Sequence, residues 1–245
     1  MPTFFVASEA IVPPTVRITG PLLHHLRQSL RLQSGEVLTV TDDRGMRYRA
    51  EIAEVTSGAL VARIFETTSA PAKTSPSIIL AQSLLKGEKM DWVIQKATEL
   101  GVDRIAPILA NHSVVRPRAD RIEHQRARWQ RIALEAAQQS ERWAVPVIDD
   151  PATVTQLLSL SNSATAKFVL AERSHGSSLA SAPLPGADGN VWLLIGPEGG
   201  WRNEELRQAL EQGFVAVTLG PRILRADTAA LAAITVLQSR CGELG

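Results

Sequence analysis

The feature that most constrains this chain of 245 residues is the stretch from Val191 to Ala233, where two apolar runs each discharge into a Gly-Pro loop and then a helix. Val191 to Ile195 meets Gly196-Pro197-Glu198-Gly199-Gly200, and Phe214 to Leu219 meets Gly220-Pro221-Arg222-Ile223-Leu224-Arg225. Short apolar runs bounded by glycine and proline read as buried strands, and ligands of open parallel sheets sit beyond the strands' carboxyl ends. Two Gly-Pro loops in that position predict one shared site.

The same grammar holds from Ile78 onward. Strands are predicted at Ile78 to Gln82, Ile105 to Leu109, Val145 to Ile148 and Lys167 to Ala171, besides the two runs above. Helices are predicted at Lys89 to Leu100, Arg121 to Glu141, Val154 to Ser159, Asn203 to Gln212 and Ala226 to Arg240. Gly101 suits a left-handed helix terminator, Asn203 an N-cap, and Glu204 and Glu205 the positive end of a helix dipole. Strands alternating with helices predict an α/β unit whose parallel sheet is covered on both faces. The Gly-, Ser- and Pro-containing segment from Ser174 to Asn190 reads as a long loop, either a lid or an edge of the site.

The first 70 residues have a different texture. Thr3 to Val6, Thr15 to Ile18, Glu36 to Thr41, Met46 to Val55 and Ala59 to Phe65 are short runs divided by turn residues, as in a small β-barrel. One helix, Pro21 to Leu30, would place Leu22, Leu26 and Leu30 on one face. A Pro-, Ser- and Thr-rich segment then separates residues 1–70 from 78–245, with 71–77 as linker.

The totals narrow the function class. Lys plus Arg number 26 and Asp plus Glu 25, so nucleic-acid contact must come from local basic surface rather than the field of the whole molecule. The single cysteine, Cys241, excludes an intrachain disulfide and a cysteine-based metal site, and the five histidines lack HExxH spacing, so no metal is expected. Without an apolar run of about 20 residues or a signal-like N-terminus, a cytoplasmic protein with no membrane partner is expected.

Three stretches carry candidate chemistry. The GPEGG loop lets backbone amides approach a ligand closely around Glu198, although it matches neither the P-loop nor the GxGxxG pattern and a tight strand-to-helix turn has the same look. In the second loop Arg222 and Arg225 straddle Ile223 and Leu224, a pattern that fits a pocket wall with a guanidinium for a developing anion as well as a basic turn. Between 111 and 145, seven arginines meet four acidic residues, and Arg121, Arg128 and Arg131 fall near one helical face; this suits phosphate contact or a solvated face. A second, mixed face carries Trp129, Ile132, Glu135, Ala136, Gln139 and Trp143. Lys86 and Lys89, in the lysine-bearing loop that leads into the helix at 89, suit phosphate contact or a capped surface turn, and Arg142 and, in the leading segment, Arg17, Arg27 and Arg31 are further phosphate candidates.

QSLLKGEKMDWVIQKATELGV, RWQRIALEAAQQSERWAVP, LLIGPEGGW and LGPRILRADTAALAA, in that order, resemble the ribosomal RNA small-subunit methyltransferase E family of the SPOUT class. HHLRQSLRLQSGE and the MPTFFV start resemble that family's leading domain. The resemblance implies a PUA-like β-barrel for RNA, then an α/β domain threaded into a trefoil knot. It further implies a homodimer, bound S-adenosylmethionine, and methylation of N3 of one uridine in 16S ribosomal RNA, within the small subunit. Cofactor contacts would come from Leu170, Ala171 and Glu172, from Ile195 to Gly200, and from Leu219, Gly220, Ile223, Leu224 and Arg225. The family pattern has glutamate where this chain has Asp227 and a basic residue where it has Thr3.

Uridine N3 is a weakly acidic imide nitrogen, so methylation needs its proton removed and the resulting charge on the flanking carbonyls stabilised. Arg225, with Arg222 second, suits the charge; Glu198 or Asp227 suits the proton or the orientation of the arginine. Transfer to a ribose 2′-hydroxyl or to guanine, and a non-catalytic ribosome-assembly protein, are the competing readings.

Overall fold

The computed structural model describes residues 3–115, 119–171 and 176–244, with Ala119 as backbone only. By contact, residues 1–72 with 137–144 form one unit, and 73–136 with 145–245 a second.

In the first unit, alternating apolar and polar residues build a six-stranded sheet in the order β1-β4-β5-β6-β3-β2. The strands are β1 (Thr3–Val6), β2 (Ile11–Val12), β3 (Thr15–Ile18), β4 (Val37–Asp42), β5 (Met46–Val55) and β6 (Leu60–Ser69). Among the described residues of this sheet, β1 and β4 pair parallel and the other neighbours antiparallel. Register shifts at Arg49/Ala50 and Ile52/Glu54 are of the kind that bends a long hairpin. Val16, Ile18, Leu38, Val40, Ile52 and Leu60 fill the concave core. The predicted ten-residue helix is instead a short α1 (Gly20–His24) running into a π-helical turn at His25–Ser29. The extra residue per turn rotates the apolar stripe, so Leu23 and Leu26 are buried while Leu30 is exposed. Thr3, where the family pattern has a basic residue, is buried in β1.

Arg47 closes this unit from β5. Its guanidinium stacks 3.9 Å from the Trp143 ring centroid and donates to the carbonyls of Glu141 and Arg142 and to Thr41 Oγ1. Burial lowers its pKa, opposed by the charge of Glu141. Such a stack is worth roughly 0.5–2 kcal/mol.

The second unit holds an all-parallel sheet in the order β10-β8-β7-β13-β11-β14-β12, with β9 also on β8. Its strands are β7 (Ser77–Ser83), β8 (Arg104–Leu109), β9 (Val147–Ile148), β10 (Ala152–Thr153), β11 (Ala166–Leu170), β12 (Ser177–Ser178), β13 (Asn190–Ile195) and β14 (Val215–Thr218). The helices are α2 (Lys89–Glu99), α3 (Ala119–Gln139), α4 (Val154–Leu160), α5 (Asn203–Glu211) and α6 (Ala226–Arg240). Residues 137–139 of α3 cluster with the first unit. Ile78 and Leu80 of β7 share a core with residues of α2 and α6, while Ile79 and Ala81 share the opposite core with α4 and α5. The sheet is therefore buried on both faces, as its unbroken apolar strands require. No helix among the described residues is long and apolar enough to cross a membrane.

Three expectations change. The stretch read as a long loop up to Asn190 contains β12 and a 3-10 turn at Leu179–Ser181. Serines give no apolar signal, yet their backbone pairs with β14, and Arg240 donates to the carbonyls of Leu179 and Ala182 at 2.8 and 2.6 Å. Asn203 is the first helical residue rather than the N-cap; Arg202 takes that position, its backbone N–H donating to Glu205 three residues on. On the mixed face of α3, Trp129 and Ala136 are buried but Glu135 and Gln139 are exposed, so no buried carboxylate needs a partner there.

Candidate functional site

The carboxyl ends of β11, β13 and β14 stop side by side and leave a cavity of about 600 Å³. That lies within the roughly 300–1,000 Å³ of small-molecule sites. Both Gly-Pro loops line it. Leu170, Ala171, Ile195, Gly196, Pro197, Gly199, Gly200, Leu219, Gly220, Arg222, Ile223 and Leu224, all singled out from the sequence, surround this one space. Glu198 and Arg225 belong to the same loops but are not among its lining residues. Glu172 lies outside the described residues.

Sequence reasoning missed Trp201, Asn203, Leu206, Val217, Thr218, Ala226 and Ala229, which also line the cavity. Trp201 is the most informative of these. Its indole Nε1–H donates to the Leu170 carbonyl at 3.0 Å, joining the end of β11 to the loop after β13. A Cβ on Gly196 would stand 3.0 Å from Nε1 and 3.1–3.3 Å from the adjacent ring carbons, so glycine there makes room for the indole. An aromatic residue directly after a glycine-rich loop was the available signal. Gly200 and Gly220, with φ of +73° and +118°, have nothing within 4 Å of where a Cβ would stand. The loops thus take turns that favour glycine while leaving open space.

The cavity mixes apolar walls from Leu170, Ile195, Val217 and Leu219 with glycine-rich backbone. Such a site suits a ligand with both an aromatic base and polar groups. Around it the charged side chains divide. Glu198 is ion-paired with Lys89 at the start of α2. Arg222 and Arg225 are exposed, and among the described residues neither guanidinium has a hydrogen-bond or ion-pair partner. Asp227 Oδ1 accepts from the N–H of Thr228 at 3.0 Å, a local contact at the start of α6.

The basic candidates also divide. Arg121, Arg128 and Arg131 are exposed on α3, but Arg128 donates to Asp91 of α2 at 2.6 and 3.0 Å, which holds its pKa above the ordinary arginine value. Arg131 stands 4.0 Å from Glu135 with both side chains 69% exposed, a contact worth little. Lys86 is exposed in the β7–α2 loop, and Arg17, Arg27 and Arg31 are exposed in the first unit. Arg142 is half-buried there and gives its carbonyl to Arg47.

Comparison with known proteins agrees with this arrangement. Residues 73–238 match the RNA methyltransferase domain family and residues 18–65 the RNA methyltransferase PUA domain family. The chain is 35% identical over 239 residues to ribosomal RNA small subunit methyltransferase E of Synechocystis, covering 96% of this chain and 76% of that protein. It is 33% identical over 230 residues to the protein of that name in Bacillus subtilis, covering 91% and 90%. The crystal structure of ribosomal RNA small subunit methyltransferase E from Neisseria gonorrhoeae bound to S-adenosylmethionine superposes with a TM-score of 0.87, at 32% identity and 98% coverage of both chains. With a PUA-like unit ahead of a parallel α/β unit, and with relatives of this identity along nearly its whole length, the chain belongs to the ribosomal RNA small subunit methyltransferase E family of RNA methyltransferases.

Proposed function

We propose that this protein uses S-adenosylmethionine to methylate N3 of one uridine in 16S ribosomal RNA. The observation that carries the reading is the single cavity bounded by both Gly-Pro loops at the carboxyl edge of the parallel sheet. Its residues fit the cofactor: apolar walls suit an adenine ring, and unsubstituted Gly200 and Gly220 leave backbone accessible to polar groups. Leu170, Ala171, Ile195 to Gly200 and Leu219 to Leu224 would hold it. When bound, S-adenosylmethionine supplies an electrophilic methyl group carried on sulfur.

The chain's own work is to place the uracil nitrogen, remove its proton and stabilise the charge left on the imide. Arg225 is assigned the imide oxygens and Arg222 the second place, because both belong to the second Gly-Pro loop and neither guanidinium has a partner among the described residues. Glu198, ion-paired with Lys89, and Asp227, at the start of α6, are the two carboxylates assigned to accept that proton or to orient the arginine. RNA phosphates are assigned to Arg121, Arg128, Arg131, Lys86, Lys89 and Arg142, and in the PUA-like unit to Arg17, Arg27 and Arg31. The knot threading, a homodimer, the small subunit as substrate particle and a cytoplasmic setting belong to the same proposal, supported by membership of the family.

Mass spectrometry of nucleosides after incubation with S-adenosylmethionine and unmodified 16S RNA or 30S particles tests the reading. One new 3-methyluridine is expected. A 2′-O-methyl or methylguanine product would replace the uridine assignment, and no product alongside RNA binding would favour a non-catalytic protein.

A further inference from the structure

The loop from Gly196 to Arg202 supplies five of the cavity's lining residues, yet three of its seven positions are glycine, which confers no rigidity. Its stiffness must come from outside. It meets the segment leaving β8 at His112. His112 Nδ1 lies 3.1 Å from the Gly200 carbonyl, and because a carbonyl only accepts, Nδ1 carries the hydrogen. Nε2 is then the acceptor, and Arg202 Nε–H points to it at a long 3.4 Å. A Cβ on Gly199 would stand 3.1 Å from His112 Cβ, so the loop lies directly on this residue.

One turn further, Glu205 is only 4% exposed. A buried carboxylate requires hydrogen bonds, and this one accepts three: from the Asn111 backbone N–H at 2.8 Å, from Asn111 Nδ2 at 3.1 Å and from the Arg202 N–H at 3.0 Å. Arg202 is thereby fixed at both backbone and side chain by residues that reach back to the β8 exit. Neither His112 nor Glu205 lines the cavity.

We propose that Asn111, His112 and Glu205 form a clasp that presets loop 196–202 for the cofactor, making His112 a positioning residue for a ligand it does not touch. Without the clasp, binding would have to order the loop as well as fill the cavity, and affinity would fall by the cost of that ordering. The inference rests on the cofactor reading given above. His112 is exposed, so its replacement tests the clasp without opening the core.

The experiment is calorimetry of the full chain with S-adenosylmethionine alone, comparing wild type, His112→Ala and His112→Asn, with thermal melts of each unliganded protein. His112→Ala is expected to weaken binding about five- to tenfold, the scale of one net hydrogen bond, with the melting temperature changed by no more than about 2 °C. His112→Asn keeps an N–H near the Nδ1 position and is expected to return affinity to within about twofold of wild type. Wild-type affinity in His112→Ala would overturn the clasp. So would equal weakening in both variants, since ring bulk rather than the donated hydrogen bond would then matter. A wild-type chain that takes up no S-adenosylmethionine would overturn the cofactor reading itself, and the clasp with it.

Discussion

The two Gly-Pro loops border one cavity but are held in opposite ways. Loop 196–202 is tethered on every side: Glu198 to Lys89, Gly200 to His112, Arg202 to Glu205, and Trp201 to the Leu170 carbonyl. In loop 219–225 the tie among the described residues is the Thr218 hydroxyl, which accepts from the N–H of Gly220 and donates to its carbonyl. Beyond that its residues 220–223 are exposed, Ile223 at 63%. A braced wall suits a small ligand that must be gripped the same way each time. An open arm with two unengaged arginines suits a large polyanion that brings its own contacts.

The largest expected effect tests the open arm. Arg225→Ala should lower methyl transfer by ~10²–10³, the scale for losing one donor to a developing anion, while affinity for S-adenosylmethionine stays within about twofold. Parallel loss of cofactor affinity would break the division between the loops, and full turnover would remove Arg225 from the chemistry in favour of Arg222. Next comes the braced wall. Gly196→Ala places a methyl 3.0–3.3 Å from the Trp201 indole, which must give by a few tenths of an ångström and so strain its hydrogen bond to the Leu170 carbonyl. Overpacking of this kind costs about 1–3 kcal/mol, so cofactor affinity should drop tenfold or more and the melt should shift downward.

How far the sequence disclosed these two loops follows from what each depends on. Val191–Ile195 and Val215–Thr218 are apolar runs in a doubly covered sheet, so composition alone marked them, and α6 matches its predicted span from Ala226 to Arg240. Glycine and proline marked the turns, and their placement at neighbouring strand ends made a common cavity foreseeable. What stayed hidden was held by side chains distant in sequence. Glu205 read as an acid at the positive end of a helix dipole, with no sign that it is buried on Asn111, 94 positions away, and Lys89 read as a phosphate candidate but meets Glu198, 109 positions away. Periodicity reports which face of an element is buried, never which residue of another element it will meet. The two-residue β12 escaped for another reason, since its serines contribute backbone alone.

A milder probe of the braced wall is Trp201→Phe. It keeps most of the aromatic surface but strands the Leu170 carbonyl, whose loss is worth about 1 kcal/mol. Cofactor affinity should fall about fivefold, less than in Gly196→Ala, because nothing is forced out of place. The reverse order would mean that the hydrogen bond, rather than the space beside Gly196, shapes the wall.

The smallest effect belongs to the tether that looks strongest on charge alone. The Lys89 and Glu198 side chains are 37% and 28% exposed, and ion pairs this accessible to water are typically worth under about 1 kcal/mol. Lys89→Gln should therefore move the melting temperature by no more than a degree or two and cofactor affinity by less than about threefold, with the difference shrinking as salt is raised. RNA affinity separates the two roles open to this lysine: a phosphate contact predicts a flatter salt dependence in the variant, whereas a pure loop tether predicts an unchanged slope. If turnover fell tenfold or more while both affinities held, the ion pair would be orienting Glu198 toward the reacting base. The braced loop would then share the chemistry now assigned to the open one.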